Sequence, residues 1–374
     1  MEAAEKQWAE AVAEKIFEKV KVTAERNSHK IPYTTKDGVF DDWSDRIGWW
    51  TNGFFGGQLW LLYHVYGYEL FRTVAEEIEN KLDRNLMDYQ GMDHDSGFRW
   101  LLTSVAHYRI TGNVQSKNRG LLAAANLAGR YNPAGDFLRA WNDDGSGENA
   151  GWAIIDCMMN LPLLYWAAEQ LKDDRFAQIA RRHADTARKV FIRADGSANH
   201  IVVFDSKTGE MLHSLGGQGM QEGSSWTRGQ SWALYGFALS YRHTRDKRYL
   251  ETAQRVASYI LPQIPDSGII PVDFCQPLDC EWEDSSAAAI MACGFLELEE
   301  QVGAEQGSAY HEAAVRLLRT LEEKRCSFDH GIDHIVENCT AAYHDREHNF
   351  AIIYADYFFT EAILRLCGKN LFLW

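Results

Sequence analysis

One aspartate stands in a context that suits acid catalysis. Asp156 lies inside the almost wholly apolar run GWAIIDCMMNLPLLYWA, residues 151–167. Burial without partners makes an ionised carboxylate costly, so such a group raises its pKa and holds a proton. A proton held in this way at neutral pH serves general acid catalysis, and we therefore expect Asp156 to have a raised pKa. The structural alternative is an aspartate that caps a helix or accepts backbone amide hydrogen bonds.

Other residues suited to recognition gather in short segments. These are WTNGFF (50–55), MDHDSGF (92–98), ENAGWAIID (148–156), SSWTRGQ (224–230) and WEDSSA (282–287). Tryptophans in polar, glycine-rich turns can stack a flat face on a sugar ring, and the candidates are Trp43, Trp49, Trp50, Trp141 and Trp226. Residues with useful chemistry therefore recur at intervals along the chain.

These segments lie just before, or within the first turn of, stretches typical of buried helices. The buried-helix stretches open near Gly56, Gly97, Asp156, Gly229 and Ser285 and are apolar nearly all round. A short polar turn and an amphipathic stretch with i, i+3, i+4, i+7 spacing follow each of them. A further buried stretch begins at Ala355, and the amphipathic N-terminal stretch, roughly residues 4 to 26, supplies the partner that it lacks.

This repeat predicts an all-α fold, an (α/α)6 barrel in which six helical hairpins close a double-layered toroid. We expect one domain over residues 1–374 and a short β-hairpin insertion around residues 196–215. An open helical solenoid is the alternative, but the irregular spacing of the buried helices argues against it.

In such a ring the starts of all inner helices lie at the same end. One cavity should collect Trp50, Asn52, His94, Asp95, Trp152, Asp156, Trp226 and Arg228. Helix N-termini point amide donors toward this cavity, so the sequence predicts a pocket for a carboxylated ligand.

The composition narrows the range of partners. Lys and Arg number 38 against 53 Asp and Glu, a net charge of −15, so neither a nucleic acid nor a membrane partner is expected. The first twenty residues lack the apolar core of a signal peptide, so we expect a cytoplasmic protein, either a monomer or a homodimer. The 7 cysteines form no CxxC motif; we expect reduced thiols, no metal site and no cofactor.

Several strings resemble the unsaturated glucuronyl hydrolases, glycoside hydrolase family 88. WTNGF, DHDSGF, IIDCMMNLPLLYWA, SSWTRGQSWALYGFALSYR, DSSAAAIMACG and DYFFTEAILRL occur in family order over most of the chain. The resemblance implies an (α/α)6 barrel that removes a 4,5-unsaturated uronic acid from the non-reducing end of lyase-generated oligosaccharides of glycosaminoglycan type.

The resemblance also implies roles for individual residues. Asp156 matches the general acid and base, and Asp95 matches a second essential carboxylate that stays ionised longer. Positions that contact substrate or organise water are Trp50, His94, Trp141, His200, Gln218, Trp226, Arg228 and Trp232. Arg228 would supply the planar cation that a uronate requires. The structural alternatives are that Arg228 only braces a turn with a nearby acid and that Trp232 is a core residue.

Three other functions stay open at this stage. An unsaturated rhamnogalacturonyl hydrolase of family 105 shares the barrel and the chemistry but takes pectin fragments. A sugar epimerase on the same barrel would need a pair of histidines facing the sugar ring, where this sequence offers carboxylates. A non-catalytic sugar-binding protein would keep the tryptophans and bind without turnover. The preference for aglycone sugar, linkage and sulfation is equally open.

Overall fold

The structure is a computed structural model, and it describes residues 3–143, 145, 148–369 and 371–374. Within these residues the helices form two concentric layers. The inner helices are α2 (Phe54–Tyr66), α4 (Ser96–Trp100) with its continuation α5 (Ala106–Thr111), α7 (Leu161–Leu171), α9 (Thr227–Thr244), α11 (Ser285–Val302) and α13 (Ile353–Leu366). The outer helices are α1 (Ala3–Arg26), α3 (Glu69–Leu86), α6 (Val114–Gly129), α8 (Arg175–Val190), α10 (Lys247–Ile260) and α12 (Ala304–Lys324).

The inner helices form a closed ring. Each packs against the next along the chain, and α13 packs against α2, while α1 contacts both α13 and α3. The N-terminal helix therefore completes the outer layer beside the last inner helix, and the predicted (α/α)6 barrel is confirmed. The chain's own ends close the ring because an inner helix that is apolar all round needs neighbours on every side.

Close helix contacts at the barrel centre depend on small residues. A Cβ atom on Gly57 of α2 would lie 2.8 Å from the Leu102 Cβ atom and 3.0 Å from the Tyr357 ring. Glycine is thus needed where α2 meets the π-helical turn Leu101–Val105, which links α4 to α5, and α13. The buried core runs continuously through all inner helices.

Short antiparallel strands lie in the segments that connect the helices. Strands β1 (Thr35–Lys36) and β2 (Val39–Phe40) pair, as do β3 (Tyr131–Asn132) and β4 (Phe137–Leu138). The predicted hairpin is confirmed as β6 (Ile201–Phe204) and β7 (Met211–Leu215). Sequence patterns missed β5 (Trp152–Ile154), which pairs with β6 to make a three-stranded sheet.

None of the described helices combines the length and apolarity needed to cross a membrane. All 7 cysteines are free thiols, as the sequence predicted, and four of them are buried: Cys157, Cys293, Cys339 and Cys367.

Candidate active site

A cavity of about 590 Å³ opens at the end of the ring where the inner helices begin. Its lining residues are Trp49, Trp50, His94, Asp95, Trp141, Trp152, Ile154, Asp156, His200, Ile201, Leu215, Gly217, Gln218 and Arg228. The volume falls in the range of small-molecule sites, and aromatic walls around a few polar groups are typical of them. Eight of the ten predicted site residues lie here, so the inner-helix starts do converge on one pocket.

Asp156 reaches the cavity from a 3-10 turn, Ile155–Met159, and not from the helix that the sequence predicted to open there. The turn follows β5 directly, and 15% of the Asp156 side chain is exposed. His200, which precedes β6, places its Nε2 atom 3.6 Å from Asp156 Oδ1. The backbone N–H of Gln218 donates to His200 Nδ1 at 2.9 Å, which leaves Nε2 as the donor nitrogen of the ring, on the side of Asp156.

Asp95 approaches from the other side of the cavity, at the N-terminus of α4. Its Oδ1 atom accepts a hydrogen bond from Asn160 Nδ2 at 3.1 Å, and its Oδ2 atom lies 3.4 Å from His94 Nε2. Asp93 holds the loop, since its Oδ1 atom accepts from the Asp95 backbone N–H and from Arg99. Two carboxylates from separate elements therefore face one pocket.

The electrostatic prediction for this pair is wrong, and the structure reverses it. Burial, together with the charges of Asp93 and Asp156, raises the pKa of Asp95 well above its ordinary value. Burial also acts to raise the pKa of Asp156. The neighbouring His200 and the positive charge of Arg228 outweigh this effect, so the pKa of Asp156 is lowered. The apolar sequence neighbours of Asp156 misled the prediction, because its spatial neighbours are polar.

Several polar atoms in this region have no partner within the part of the chain that the structure describes. Asp156 Oδ1, His200 Nε2 and His94 Nδ1 are buried and make no hydrogen bond. Buried polar atoms are normally satisfied, so unpaired ones beside a cavity indicate a place for a polar ligand or water. Burial lowers the pKa of His94 to about 4, which leaves its ring neutral at pH 7.

Arg228 lies at the start of α9 and lines the cavity, but its charge is already paired. Its Nη1 atom donates to Asp284 Oδ2 at 2.5 Å and to the Thr340 carbonyl at 2.7 Å, and its Nη2 atom donates to the Ala341 carbonyl. The guanidinium is only 1% exposed. Arg228 thus lines the cavity and also braces residues 340–341 through a buried pair with Asp284, as the structural alternative predicted.

The tryptophans divide into two groups. Trp50 and Trp141 line the cavity, and Trp141 is 37% exposed. Trp226 lies behind the wall, where its ring packs 4.4 Å from the His200 ring and under Arg228. Trp232 is fully buried against Phe98 in the core and does not line the cavity, so its predicted substrate contact is wrong. Trp232 lies on the inward face of α9, one helical turn too deep to line the pocket.

Other predicted neighbours of the cavity are displaced in the same way. Asn52 turns its amide to the carbonyls of Arg46 and Ile47, and Trp43 packs on Trp49 at 4.9 Å instead of lining the pocket.

Sequence patterns overlooked several lining residues. Trp49 and Trp152 were among the sequence candidates and both line the cavity, but Ile154 on β5 and the lining residues Ile201, Leu215 and Gly217 were not anticipated. The alternation along β5 sends Trp152 and Ile154 to the same face, a period-two signal that three residues are too short to show. Among the described residues no group of three or more His, Cys, Asp or Glu is placed to hold a metal ion.

Comparison with known proteins shows the family to which the chain belongs. The profile of Glycosyl Hydrolase Family 88 matches residues 20–298. An unsaturated glucuronyl hydrolase of Bacillus sp. (strain GL1) is 35% identical over 325 residues, covering 85% of this chain and 86% of that protein. An unsaturated chondroitin disaccharide hydrolase of Streptococcus pneumoniae is 32% identical over 324 residues, covering 84% of this chain and 81% of that protein.

The fold agrees as well. The crystal structure of the unsaturated glucuronyl hydrolase from Bacillus sp. GL1, described as responsible for the degradation of glycosaminoglycan, superimposes with a TM-score of 0.88 at 32% identity. The alignment covers 96% of both chains. With the family profile matched over residues 20–298 and a relative aligned over 85% of its length, this chain is a glycosidase that belongs to Glycosyl Hydrolase Family 88.

Proposed function

We propose that this enzyme is an unsaturated glucuronyl hydrolase that acts on unsaturated disaccharides of glycosaminoglycan type. The observation that carries the proposal is the convergence of Asp95 and Asp156 on one aromatic cavity. The relatives named for unsaturated glucuronyl and chondroitin disaccharide substrates support the same choice.

The reaction would begin with hydration and not with displacement at the anomeric carbon. The substrate ring is a vinyl ether conjugated to a carboxylate, so a proton adds at C4 while positive charge develops at C5 and the ring oxygen. Water then adds at C5 and loses a proton. The resulting hemiketal opens to a ketone at C5, and the hemiacetal left at C1 collapses to an aldehyde and the free aglycone. One water is consumed in all.

In this scheme Asp156 delivers the proton to C4 and then receives a proton from water. The pKa of Asp156 is lowered and that of Asp95 is raised, so Asp95 is the more readily protonated of the two before substrate binds. A uronate entering the cavity adds negative charge and excludes water, and both effects raise the pKa of a nearby carboxylate. Substrate binding would therefore load Asp156 with the proton that the first step needs.

His200 would hold the carboxylate and the water. Its Nε2–H faces Asp156 Oδ1 at 3.6 Å, a gap that a small movement closes. Neutral His94, beside Asp95, lines the pocket without adding charge, and its buried Nδ1 atom has no partner among the described residues. Trp50 and Trp141 supply flat faces for the sugar rings.

The test follows loss of the ultraviolet absorbance of the conjugated alkene. Purified enzyme is incubated with unsaturated disaccharides from glycosaminoglycan lyases, and with pectin-derived unsaturated fragments in a parallel arm. We expect wild-type enzyme to consume the glucuronyl substrates. Asp156→Asn should slow turnover by about 10²–10⁴-fold, since it removes a general acid.

The matched control is Asp266→Asn, an exposed aspartate outside the cavity, which should keep wild-type turnover. Turnover of the pectin fragments alone would contradict the assigned substrate class. Binding of a glucuronyl disaccharide without absorbance loss would contradict the assigned activity.

A further inference from the structure

Asn160 occupies the position of a helix cap without acting as one. It is the residue before α7 and is followed two positions later by Pro162, a sequence context typical of an N-terminal helix start. Asparagine at this position normally accepts a hydrogen bond from the backbone of its own helix. Here the side chain makes no such bond.

The side chain instead spans three elements of the site. Its Oδ1 atom accepts from the backbone N–H of Phe98 in α4 at 2.9 Å. Its Nδ2 atom donates to Asp95 Oδ1 at 3.1 Å and lies 3.3 Å from the backbone carbonyl of Asp156, to which it also donates. One fully buried amide thus connects the loop of Asp95 to the turn of Asp156.

The neighbouring glycine fits this arrangement. A Cβ atom on Gly97 would lie 2.6 Å from the Asn160 Cα atom and 2.7 Å from its Oδ1 atom. Only glycine lets α4 approach Asn160 closely enough for the bond to Phe98. The glycine of the DHDSGF segment therefore serves the contact with Asn160.

We propose that Asn160 is the positioning residue that sets the geometry of the Asp95–Asp156 pair and holds the Asp95 carboxyl in register for proton exchange. The inference rests on the proposed function. Asn160 does not line the cavity, so it acts through Asp95 and not on the substrate.

Its effect on ionisation follows from the direction of the bond. An N–H donor stabilises the charged form of Asp95, and so opposes the rise in pKa that burial causes. The ionisable groups around Asp95 are Asp93, His94, Arg99, Asp156 and Cys157. Loss of the donor would therefore raise the pKa of Asp95 further, so that Asp95 gives up a proton less readily.

The experiment compares Asn160→Ala, Asn160→Asp and wild type by absorbance kinetics across pH. We expect Asn160→Ala to lower kcat by roughly 10- to 100-fold, the worth of a hydrogen bond to a charged group. The basic limb of its kcat/KM profile should move to higher pH. Asn160→Asp carries a donor only when protonated, so its rate should rise relative to Asn160→Ala as the pH falls.

The control is Asn27→Ala, which removes another fully buried amide, one that donates to the Thr23 carbonyl of α1 far along the chain from the site. It should change the unfolding midpoint without changing the pH profile. Wild-type kinetics in Asn160→Ala would overturn the inference. So would an equal loss of rate in Asn160→Ala and Asn160→Asp at every pH with the basic limb of the profile unmoved. Absence of turnover in wild type would instead refute the proposed function itself.

Discussion

Removal of the charge on Asp284 should destabilise the enzyme more than almost any other single carboxylate change. Asp284 and Arg228 are both essentially buried, with 0% and 1% of their side chains exposed. Asp284 Oδ1 also accepts from the backbone N–H groups of Ser286 at 3.1 Å and Ala287 at 3.4 Å, so it caps α11. The Asp284 side chain therefore stabilises the fold in two separable ways, as one partner of a buried ion pair and as the cap of α11.

The two contributions differ in size. Breaking a buried ion pair by removing one partner costs about 3–5 kcal/mol, because the other charge remains buried without compensation. Loss of a helix N-cap costs about 1 kcal/mol. Asp284→Asn keeps an oxygen for the cap and should cost about 3–5 kcal/mol, whereas Asp284→Ala should cost about 1 kcal/mol more. The total is a large share of the roughly 5–15 kcal/mol that stabilises a typical folded protein.

Urea unfolding of the variants would measure these costs. Asp246→Ala is the matched control, since Asp246 caps α10 through the Arg248 backbone N–H but is 31% exposed, and it should cost only about 1 kcal/mol. The double variant Arg228→Met/Asp284→Ala should be more stable than Asp284→Ala, because it no longer buries a lone cation. Equal midpoints for Asp284→Asn and wild type, or additive losses in the double variant, would refute the reasoning.

Three further outcomes are expected. Burial lowers the pKa of His183 to about 3 and that of His94 to about 4, whereas the pKa of a histidine in the unfolded chain is about 6.5. On acidification these two histidines therefore bind more protons in the unfolded chain than in the folded one. Each of these histidines therefore removes stability as the pH falls from about 7 to about 5, whereas Asp356, whose pKa burial raises to about 7, adds stability over the same range. The urea midpoint of His183→Gln should therefore fall less, or rise more, than that of wild type on the same acidification. Gly97→Ala should lower kcat about 10-fold or more by displacing the contacts beside it, while Gly129→Ala, with nothing within 4 Å of its added Cβ atom, should leave kinetics unchanged. Trp141→Ala should raise KM up to about 10-fold with little change in the unfolding midpoint, because its ring is partly exposed in the cavity.

The barrel was predictable because its information is local and repeated. Apolar stretches such as α13 alternate with amphipathic ones such as α10, and each pair can bury its apolar faces only against the next pair. The pairing of the two chain ends was predictable as well, because α1 is amphipathic and α13 has no outer helix after it in the chain. Strand β5 escaped notice because three residues are too few to establish a period.

The site was predictable in its membership but not in its electrostatics. The starts of the inner helices must share one end of a ring, which places Asp95 and Asp156 together once the barrel is inferred. The depth of Trp232, the pairing of Arg228 with Asp284 and the cross-link through Asn160 depend on contacts between residues distant in the chain.

The sequence by itself determined the ring of hairpins and the set of residues at its open end, because helical periodicity and chain order are enough to orient each element. Only the tertiary structure decided in which direction the pKa of each aspartate moves. A pKa depends on the charges and donors within a few ångströms, and for Asp156 the nearest of these is His200 on another segment, not the apolar residues beside it in the chain.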